Sequence, residues 1–259
     1  MSEVTTTKNG GIWTVTLDRP KANAIALTTS QEMGRHFQAF RDDPEARICI
    51  VKTAGEKFFS AGWDLGAAAD GEEFEADYGE GGFGGFGELP RRNKPVVCAV
   101  NGLAVGGGFE IALAAEFVVA AEHAEFFLPE AGLGIIPDTG AVRLPRILPP
   151  AVATEVLIGG RRLDAREAER WGLVNRVVPV ADLRAAALEL AGRISASAPL
   201  AVEAVLAIDR ATRHLSLEEA FAHLRSGDLE AYERMLASED AEEGLQAFVE
   251  KRDPHWQGS

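Results

Sequence analysis

The sequence is short of the residues that build metal sites and disulfide frameworks. Its 259 residues include 2 cysteines and 5 histidines, and the histidines are scattered at 36, 123, 214, 223 and 255. None of them stands at zinc-ligand spacing, so we expect no metal site. Cys49 and Cys98 both lie in apolar, strand-like runs, which predicts buried, reduced thiols rather than a disulfide.

Long hydrophobic runs and a signal-peptide pattern are also missing, which favours a cytoplasmic protein without a membrane partner. Basic charge is in deficit, because 26 Lys and Arg against 40 Asp and Glu give a formal net charge of −14. That balance excludes nonspecific nucleic-acid or membrane-surface binding. It still allows a phosphorylated ligand, which needs only a few placed cations.

The most informative stretch is residues 101–110, where three consecutive glycines follow an apolar run and precede an alanine-rich one. The pattern predicts a strand, a tight turn and a helix. Glycines at a helix start leave backbone N–H groups uncovered, and the helix dipole adds partial positive charge there. Glu110 falls in the first helical turn. One turn therefore supplies donors for a developing anion and a titratable acid, although a tight turn with a capping acid explains the stretch equally well.

The chain order indicates an α/β core at residues 1–197, where short strands alternate with helices, and a helical region at 198–259. Strands are predicted at 12–17, 47–52 and 117–121. A helix capped by Thr28 is predicted to run to about residue 40, and a long one capped by Ser216 to about Leu236. Residues 66–88, rich in glycine and acids, predict a mobile loop that buries little. Its aromatic residues either anchor it on the core or contact a ligand: Phe74, Tyr78, Phe83 and Phe86.

Several catalytic motifs are absent, including a Gly-x-Ser-x-Gly elbow and a Walker motif. Residues 102–108 match a dinucleotide fingerprint only loosely, since they lie deep in the chain with no acid placed after a following strand. Two backbone-rich turns remain, at 61–62 and 106–108, together with two acids, Glu110 and Glu130. Glu130 follows a proline at the end of a short apolar piece, an unusual place for a carboxylate without a role.

Five motifs in this order resemble those of the enoyl-CoA hydratase/isomerase (crotonase) superfamily: residues 19–24, 60–65, 101–110, 129–130 and 136–138. They extend from the first strand to the middle of the chain, and the resemblance continues to the last helix. It implies a ClpP-like spiral of strand-strand-helix units with a C-terminal helical region that trimerises, commonly as a dimer of trimers. Residues 55–65, 106–110, 137–138, 238–241 and 250–254 resemble the carnitinyl-CoA dehydratase branch in particular.

The resemblance implies a hydro-lyase acting on an enoyl-CoA. The N–H groups of Ala61 and Gly107 would form an oxyanion hole for the thioester oxygen, each donor worth about 3 kcal/mol. In the elimination direction Glu130 would take the α-proton and Glu110 would protonate the departing hydroxyl, a pair expected to share a proton. No cofactor is needed, because CoA is part of the substrate.

Substrate contacts are implied by the same resemblance. Arg19 belongs to the first motif and would lie near the nucleotide. The residues expected to contact the acyl-CoA are Lys21, Ala22, Ala24, Ala61, Gly62, Trp63, Asp64, Leu65, Gly106, Gly107, Pro129, Leu133 and Asp138, with Phe248 and Lys251 reaching the CoA of a neighbouring subunit. A trimethylammonium head would need an aromatic or acidic contact, such as Trp63, an aromatic residue of 66–88 or Asp138.

Alternatives remain within and outside the family. An ordinary short-chain enoyl-CoA hydratase or an isomerase of fatty-acid oxidation shares most of these motifs. A non-catalytic acyl-CoA- or RNA-binding oligomer is the alternative of another class. Asp138 could orient Glu130, contact substrate, relay a proton or simply form a turn. Residues 137–145 are one residue shorter than the usual family pattern, which leaves the pocket shape at 138–142 open.

Overall fold

The computed structural model describes residues 2–259 as two sheets with surrounding helices. The strands are β1 (Val4–Asn9), β2 (Ile12–Leu17), β3 (Ile48–Thr53), β4 (Phe58–Ser60), β5 (Val96–Val100), β6 (Leu103–Val105), β7 (Phe117–Ala121), β8 (Glu125–Phe127), β9 (Leu163–Asp164) and β10 (Arg176–Val178). The helices are α1 (Leu27–Asp42), α2 (Leu65–Ala69), α3 (Gly107–Ala114), α4 (Asp138–Arg143), α5 (Pro150–Gly159), α6 (Ala165–Arg170), α7 (Leu183–Ser195), α8 (Pro199–Thr212), α9 (Leu217–Leu224), α10 (Glu230–Leu236) and α11 (Glu239–Glu250). Single 3₁₀ turns lie at Phe83–Gly85, Glu130–Leu133, Leu144–Arg146 and Val180–Asp182.

Successive strand pairs cross from one sheet to the other. The larger sheet has the order β1-β2-β3-β5-β7-β10, and the smaller has β4-β6-β8-β9. The pairs β3/β4, β5/β6 and β7/β8 each place one strand in each sheet before helical structure follows, and β2, β3, β5, β7 and β10 run parallel. This is the strand-strand-helix repeat that the resemblance implied.

The central strands β3 and β5 are apolar on both faces, as expected for parallel strands covered on each side. Ile48 and Ile50 face α7, whereas Cys49 and Val51 face the main core. Cys98 on β5 pairs with Val51 in the register and faces that core as well. The prediction of buried, unpaired thiols is confirmed. Burial raises the pKa of Cys49 to about 12 and also raises the pKa of Cys98.

Helix α1 buries Met33, Phe37 and Phe40 on one face, spaced as an amphipathic helix requires. The predicted cap is wrong, because the helix begins at Leu27 and not after Thr28. Its N-cap residue provides no side-chain acceptor. The Leu27 N–H donates instead to the carboxylate of Glu72, which comes from a distant part of the chain.

The prediction for residues 66–88 is wrong in its second half. Gly84, Gly85 and Phe86 are buried, and the Phe86 ring lies 4.6 Å from that of Phe37 on α1. A methyl group at Gly85 would overlap the Gly34 backbone on α1. Glycine therefore serves close packing here, and composition alone did not distinguish that use from flexibility.

The C-terminal region is helical from Pro199 onward, but the long helix predicted from Ser216 is two helices. Ser216 and Glu219 form the expected capping box at the start of α9. The chain then turns at Gly227, which has φ +83°, before α10 begins. No single helix within residues 2–259 is long and apolar enough to span a membrane, and only the bent pair 180–195 and 199–212 meets the length and composition criteria together.

Candidate active site

A cavity of about 440 Å³ opens between the glycine turns that follow β4 and β6, both strands of the smaller sheet, and the segment 74–88. It brings together residues that the sequence placed far apart. The predicted site residues that line it are Ala61, Trp63, Leu65, Gly106, Gly107, Glu110, Pro129, Glu130, Leu133 and Asp138. The predicted residues that do not line it are Lys21, Ala22, Ala24, Gly62, Asp64, Phe248 and Lys251.

The two glycine turns pack directly against each other. A methyl group at Gly62, which has φ +79°, would lie 2.7 Å from both the Gly107 nitrogen and the Val105 oxygen. One at Gly108 would overlap the Ser60 carbonyl oxygen. Only glycine allows the turns to approach this closely, and the approach fixes the backbone at the cavity floor.

Two backbone N–H groups at this floor have no acceptor within residues 2–259. Gly107 is the first residue of α3, so its N–H has no partner inside the helix. On either side of Trp63 the chain is bonded to Ile25, whose N–H donates to Gly62 O at 2.7 Å and whose O accepts from Asp64 N at 3.0 Å. The Trp63 N–H points away from this bridge and lacks a partner.

The predicted donor Ala61 requires a correction. Its N–H donates to the Ala22 carbonyl oxygen at 2.9 Å and is therefore occupied. The motif indicates a backbone donor in this turn. Which residue supplies the donor depends on the hydrogen bonds between the turn and residues 22–25, because those bonds decide which N–H stays free. The structure leaves the Trp63 N–H, two residues further on, in that position.

Glu110 sits in the first turns of α3 and is 8% exposed. Its Oε1 accepts the N–H of Gly140, on α4, at 2.7 Å. Burial, opposed by that hydrogen bond and assisted by the charges of Asp138 and Glu130, raises the pKa of Glu110 to about 8. At neutral pH the side chain is therefore protonated and can donate a proton.

Glu130 opens a 3₁₀ turn and is also 8% exposed. Its Oε1 lies against Gly106, where a methyl group would overlap it. Its Oε2 is buried and has no hydrogen-bond partner within residues 2–259, which is rare for a buried carboxylate oxygen. Burial, together with the charge of Asp138, raises the pKa of Glu130.

Asp138 is the exposed first residue of α4, and its Oδ1 accepts the N–H of Thr139 at 2.7 Å. It forms this local turn and also lines the cavity, but it makes no hydrogen bond to Glu130. The shortened segment therefore forms a helix that delivers the Gly140 N–H to Glu110.

The charge of the cavity is all of one sign. Its lining contains no Lys, Arg or His within residues 2–259 but six acidic residues: Glu75, Asp77, Glu88, Glu110, Glu130 and Asp138. The acids of segment 66–88 are evident in the sequence, but no motif there assigns Glu75, Asp77 or Glu88 to the site. The acidic composition of the segment is visible in the sequence, but only the fold shows that these three side chains line the same cavity.

Aromatic side chains form the wall beside these acids. Phe74, Tyr78 and Phe83 line the cavity together with Trp63. Trp63 contacts Phe74 edge-on at a centroid distance of 5.4 Å, and Tyr78 contacts Phe83 at 5.3 Å. Burial, with the charges of Glu72, Asp138 and Glu75, raises the pKa of Tyr78 to about 12, so its hydroxyl stays neutral.

Several of the residues expected around CoA lie outside the cavity. Arg19 pairs with Asp64 at 2.6 Å and donates to the Ala24 oxygen at 2.8 Å, while Asp64 also caps α2. These contacts hold the loop 19–24 against the glycine turn at 61–62. Lys21 is exposed beside them, and Phe248 on α11 is 85% exposed. Their contact with CoA stays a prediction.

Comparisons with known proteins agree on one family. The family model described as enoyl-CoA hydratase/isomerase matches residues 7–259. Carnitinyl-CoA dehydratases from Salmonella arizonae and Escherichia coli K12 are each 58% identical over 253 residues, covering 97% of this chain and 97% of theirs.

Solved structures agree as well. The enoyl-CoA hydratase from Mycobacterium tuberculosis H37Rv superimposes with a TM-score of 0.91 at 35% identity, covering 100% of both chains. An enoyl-CoA hydratase from Bacillus anthracis does so with a TM-score of 0.89 at 32% identity, covering 99% of this chain and 100% of its own. The predicted α/β spiral of strand-strand-helix units is confirmed, whereas trimerisation through the C-terminal helical region stays a prediction.

Proposed function

The chain belongs to the enoyl-CoA hydratase/isomerase family, and from that premise we propose how its residues act and which acyl group they accept. It is a hydro-lyase that adds or removes water across the α,β double bond of an enoyl-CoA thioester. The mechanism rests on one observation: two unpaired N–H donors and two buried carboxylates open into the same cavity.

The N–H groups of Trp63 and Gly107 stabilise the charge on the thioester oxygen. Removing the α-proton of a 3-hydroxyacyl-CoA places negative charge there, and fixed donors stabilise it without reorganising. Gly107 adds the positive end of the α3 dipole.

The two glutamates carry the protons. In dehydration the ionised Glu130 takes the α-proton, the double bond forms, and the β-hydroxyl leaves as water with the proton of Glu110. The proton on Glu130 then returns to Glu110 through solvent, and hydration is the reverse. The raised pKa of Glu110, about 8, fits the acid of this pair. No cofactor enters these steps.

The acyl group that we propose carries a quaternary ammonium, as in carnitinyl-CoA or crotonobetainyl-CoA. Six acidic side chains and four aromatic rings line the cavity, and among residues 2–259 no basic side chain does so. Such a site attracts a cation that cannot be deprotonated, through both charge and the ring faces. The relatives at 58% identity are carnitinyl-CoA dehydratases, which supports the same choice.

Substrate competition tests this proposal. We expect kcat/KM for crotonobetainyl-CoA to exceed that for crotonyl-CoA at least about tenfold, or ~1.4 kcal/mol. Equal values would leave an ordinary short-chain hydratase. A migrated double bond without incorporation of water would indicate an isomerase. CoA binding without turnover of either thioester would indicate the non-catalytic alternative.

The oligomer implied by the resemblance, a trimer or dimer of trimers, is also a proposal. Leu245, Phe248 and Val249 lie on one face of α11 and are 73%, 85% and 79% exposed. An apolar face of this kind is typical of a surface covered by another subunit. Sedimentation analysis checks it, and a monomer at micromolar concentration would contradict it. A cytoplasmic location likewise stays a prediction.

A further inference from the structure

Glu72 connects two parts of the molecule that the proposed mechanism leaves unconnected. It follows Gly71, whose φ of +102° turns the chain back after α2. One carboxylate oxygen, Oε1, accepts the indole N–H of Trp63 at 2.8 Å. The other, Oε2, accepts the backbone N–H of Leu27 at 2.9 Å.

The Leu27 contact anchors the carboxylate to a rigid element. Leu27 is the first residue of α1, and the residue before it provides no side-chain cap. A carboxylate at a helix N-terminus satisfies a free N–H and is stabilised by the dipole. The 16-residue α1 is built into the core through Met33, Phe37 and Phe40. Glu72 is therefore held from the core side and not only by its own segment.

The contact with Trp63 connects Glu72 to the cavity, because Trp63 lines it. The backbone of Trp63 is fixed separately, by the two bonds that its neighbours make to Ile25. Its indole has one hydrogen bond, to Glu72, and packs edge-on against Phe74. The backbone N–H and the indole ring of Trp63 are thus held in place by different contacts.

We propose that Glu72 is a positioning residue that, through the Trp63 indole, sets the shape of the acyl end of the cavity and hence the preference between acyl groups. This rests on the proposed function for its kinetic consequence. Without the bond to Glu72 the indole is free to rotate, and Phe74, two residues after Glu72, loses the ring against which it packs. The backbone N–H of Trp63, which is held by the bonds of its neighbours to Ile25, stays in place.

The substitution Glu72→Gln tests the proposal with minimal change of shape. A glutamine has one carbonyl oxygen, and its amide N–H groups cannot accept, so at most one of the two bonds survives. We expect the preference for crotonobetainyl-CoA over crotonyl-CoA to fall about tenfold, mainly through KM, while kcat for crotonyl-CoA stays within about threefold.

Glu73→Gln is the matched control. Glu73 is the next residue and is exposed; it does not line the cavity, and its side chain makes no hydrogen bond to any of residues 2–259. The Glu73→Gln substitution removes the same charge from the same segment but leaves the two hydrogen bonds of Glu72 intact, so it should leave the preference between the two thioesters unchanged. If Glu72→Gln and Glu73→Gln change the preference equally, the proposal is overturned.

A double-mutant cycle shows whether Glu72 acts through Trp63. Trp63→Phe removes the indole N–H and keeps an aromatic ring. If the preference is set through this bond, Glu72→Gln should add less than about twofold in the Trp63→Phe background. Full additivity of the two losses would overturn the proposal.

A spectroscopic signal gives an answer independent of activity. The four tryptophans give four indole N–H resonances after ¹⁵N-tryptophan labelling, and Trp63→Phe assigns one of them. That resonance should shift in Glu72→Gln and stay in place in Glu73→Gln; an unshifted resonance overturns the positioning role. Should the wild type turn over neither thioester, the proposed function fails, while this signal still decides whether Glu72 holds Trp63.

Discussion

The cavity has two walls that are built by different means. The backbone wall (residues 61–63 and 105–110) consists of close-packed turns in which added methyl groups at Gly62 and Gly106 would strike neighbouring atoms. The side-chain wall (residues 74–79 and 133–138) consists of rings, acids and aliphatic side chains, several of them exposed, such as Leu133 and Ile136 at 59% and 60%. The first wall permits almost no substitution on steric grounds, whereas the second permits many. We infer that the reaction belongs to the backbone wall and the choice of acyl group to the side-chain wall.

The largest effect should come from Glu110, in the backbone wall, and from Glu130, whose Oε1 lies against that wall at Gly106. Glu110→Gln and Glu130→Gln each remove a proton carrier, and we expect kcat to fall about 10³-fold for every substrate, within the range for general acid–base catalysis. Steady-state kinetics with both thioesters measures it, and Glu218→Gln on the exposed surface of α9 serves as the control. Turnover within tenfold of wild type in either variant would contradict the assignment of both roles.

A smaller loss should follow from filling the backbone wall itself. Gly106→Ala places a methyl group on Glu130 Oε1 at a residue with φ +54°, so the base must move. We expect kcat to fall about 10²-fold with little change in KM, since misplacing a reacting group is costly even when binding survives. Gly132→Ala, three residues from Pro129 and with open space around the added carbon, should change kcat less than twofold. Equal behaviour of the two alanine variants would remove the distinction between the walls.

The smallest effect should come from a single charge on the side-chain wall. Asp138→Asn should lower the preference for crotonobetainyl-CoA about fivefold, which matches the roughly 1 kcal/mol at the upper end of what an exposed ion pair contributes. The charge of Asp138 also helps raise the pKa of Glu110, which lies at about 8. Because dehydration needs Glu110 protonated, its rate falls as pH rises through that pKa. The basic limb of the kcat/KM profile should therefore move to lower pH in the variant, and an unmoved limb would contradict the coupling.

The same contrast explains what could be predicted from the sequence. Strand β2 at 12–17 and β7 at 117–121 were predicted to the residue, and β3 was displaced by one, because continuous or alternating apolar runs encode buried strands locally. Glycines at 106–108 likewise encode a turn that no other residue fits.

What the sequence left open depends on contacts between distant residues. The sequence predicts Thr28 as the cap of α1, but the acceptor at this helix start is Glu72, which lies 45 residues after Leu27. Ala61 was assigned as a donor, but its N–H is taken by Ala22, and Trp63 is left free. The acids Glu75, Asp77 and Glu88 belong to a segment without regular periodicity, so nothing local shows that they face the same cavity.

The predicted boundary between the α/β core and the helical region, at residues 197 and 198, stays a prediction.

Cys49 and Cys98 are built-in probes of the opening of the central sheet. They lie on the neighbouring strands β3 and β5 and are inaccessible in the folded chain. Only the thiolate reacts with alkylating reagents, and burial raises both thiol pKa values. Modification in the native state therefore has to wait until the main core separates. The rate at which a maleimide consumes these two thiols should report how often the whole sheet opens, and motions confined to the cavity walls should leave that rate unchanged.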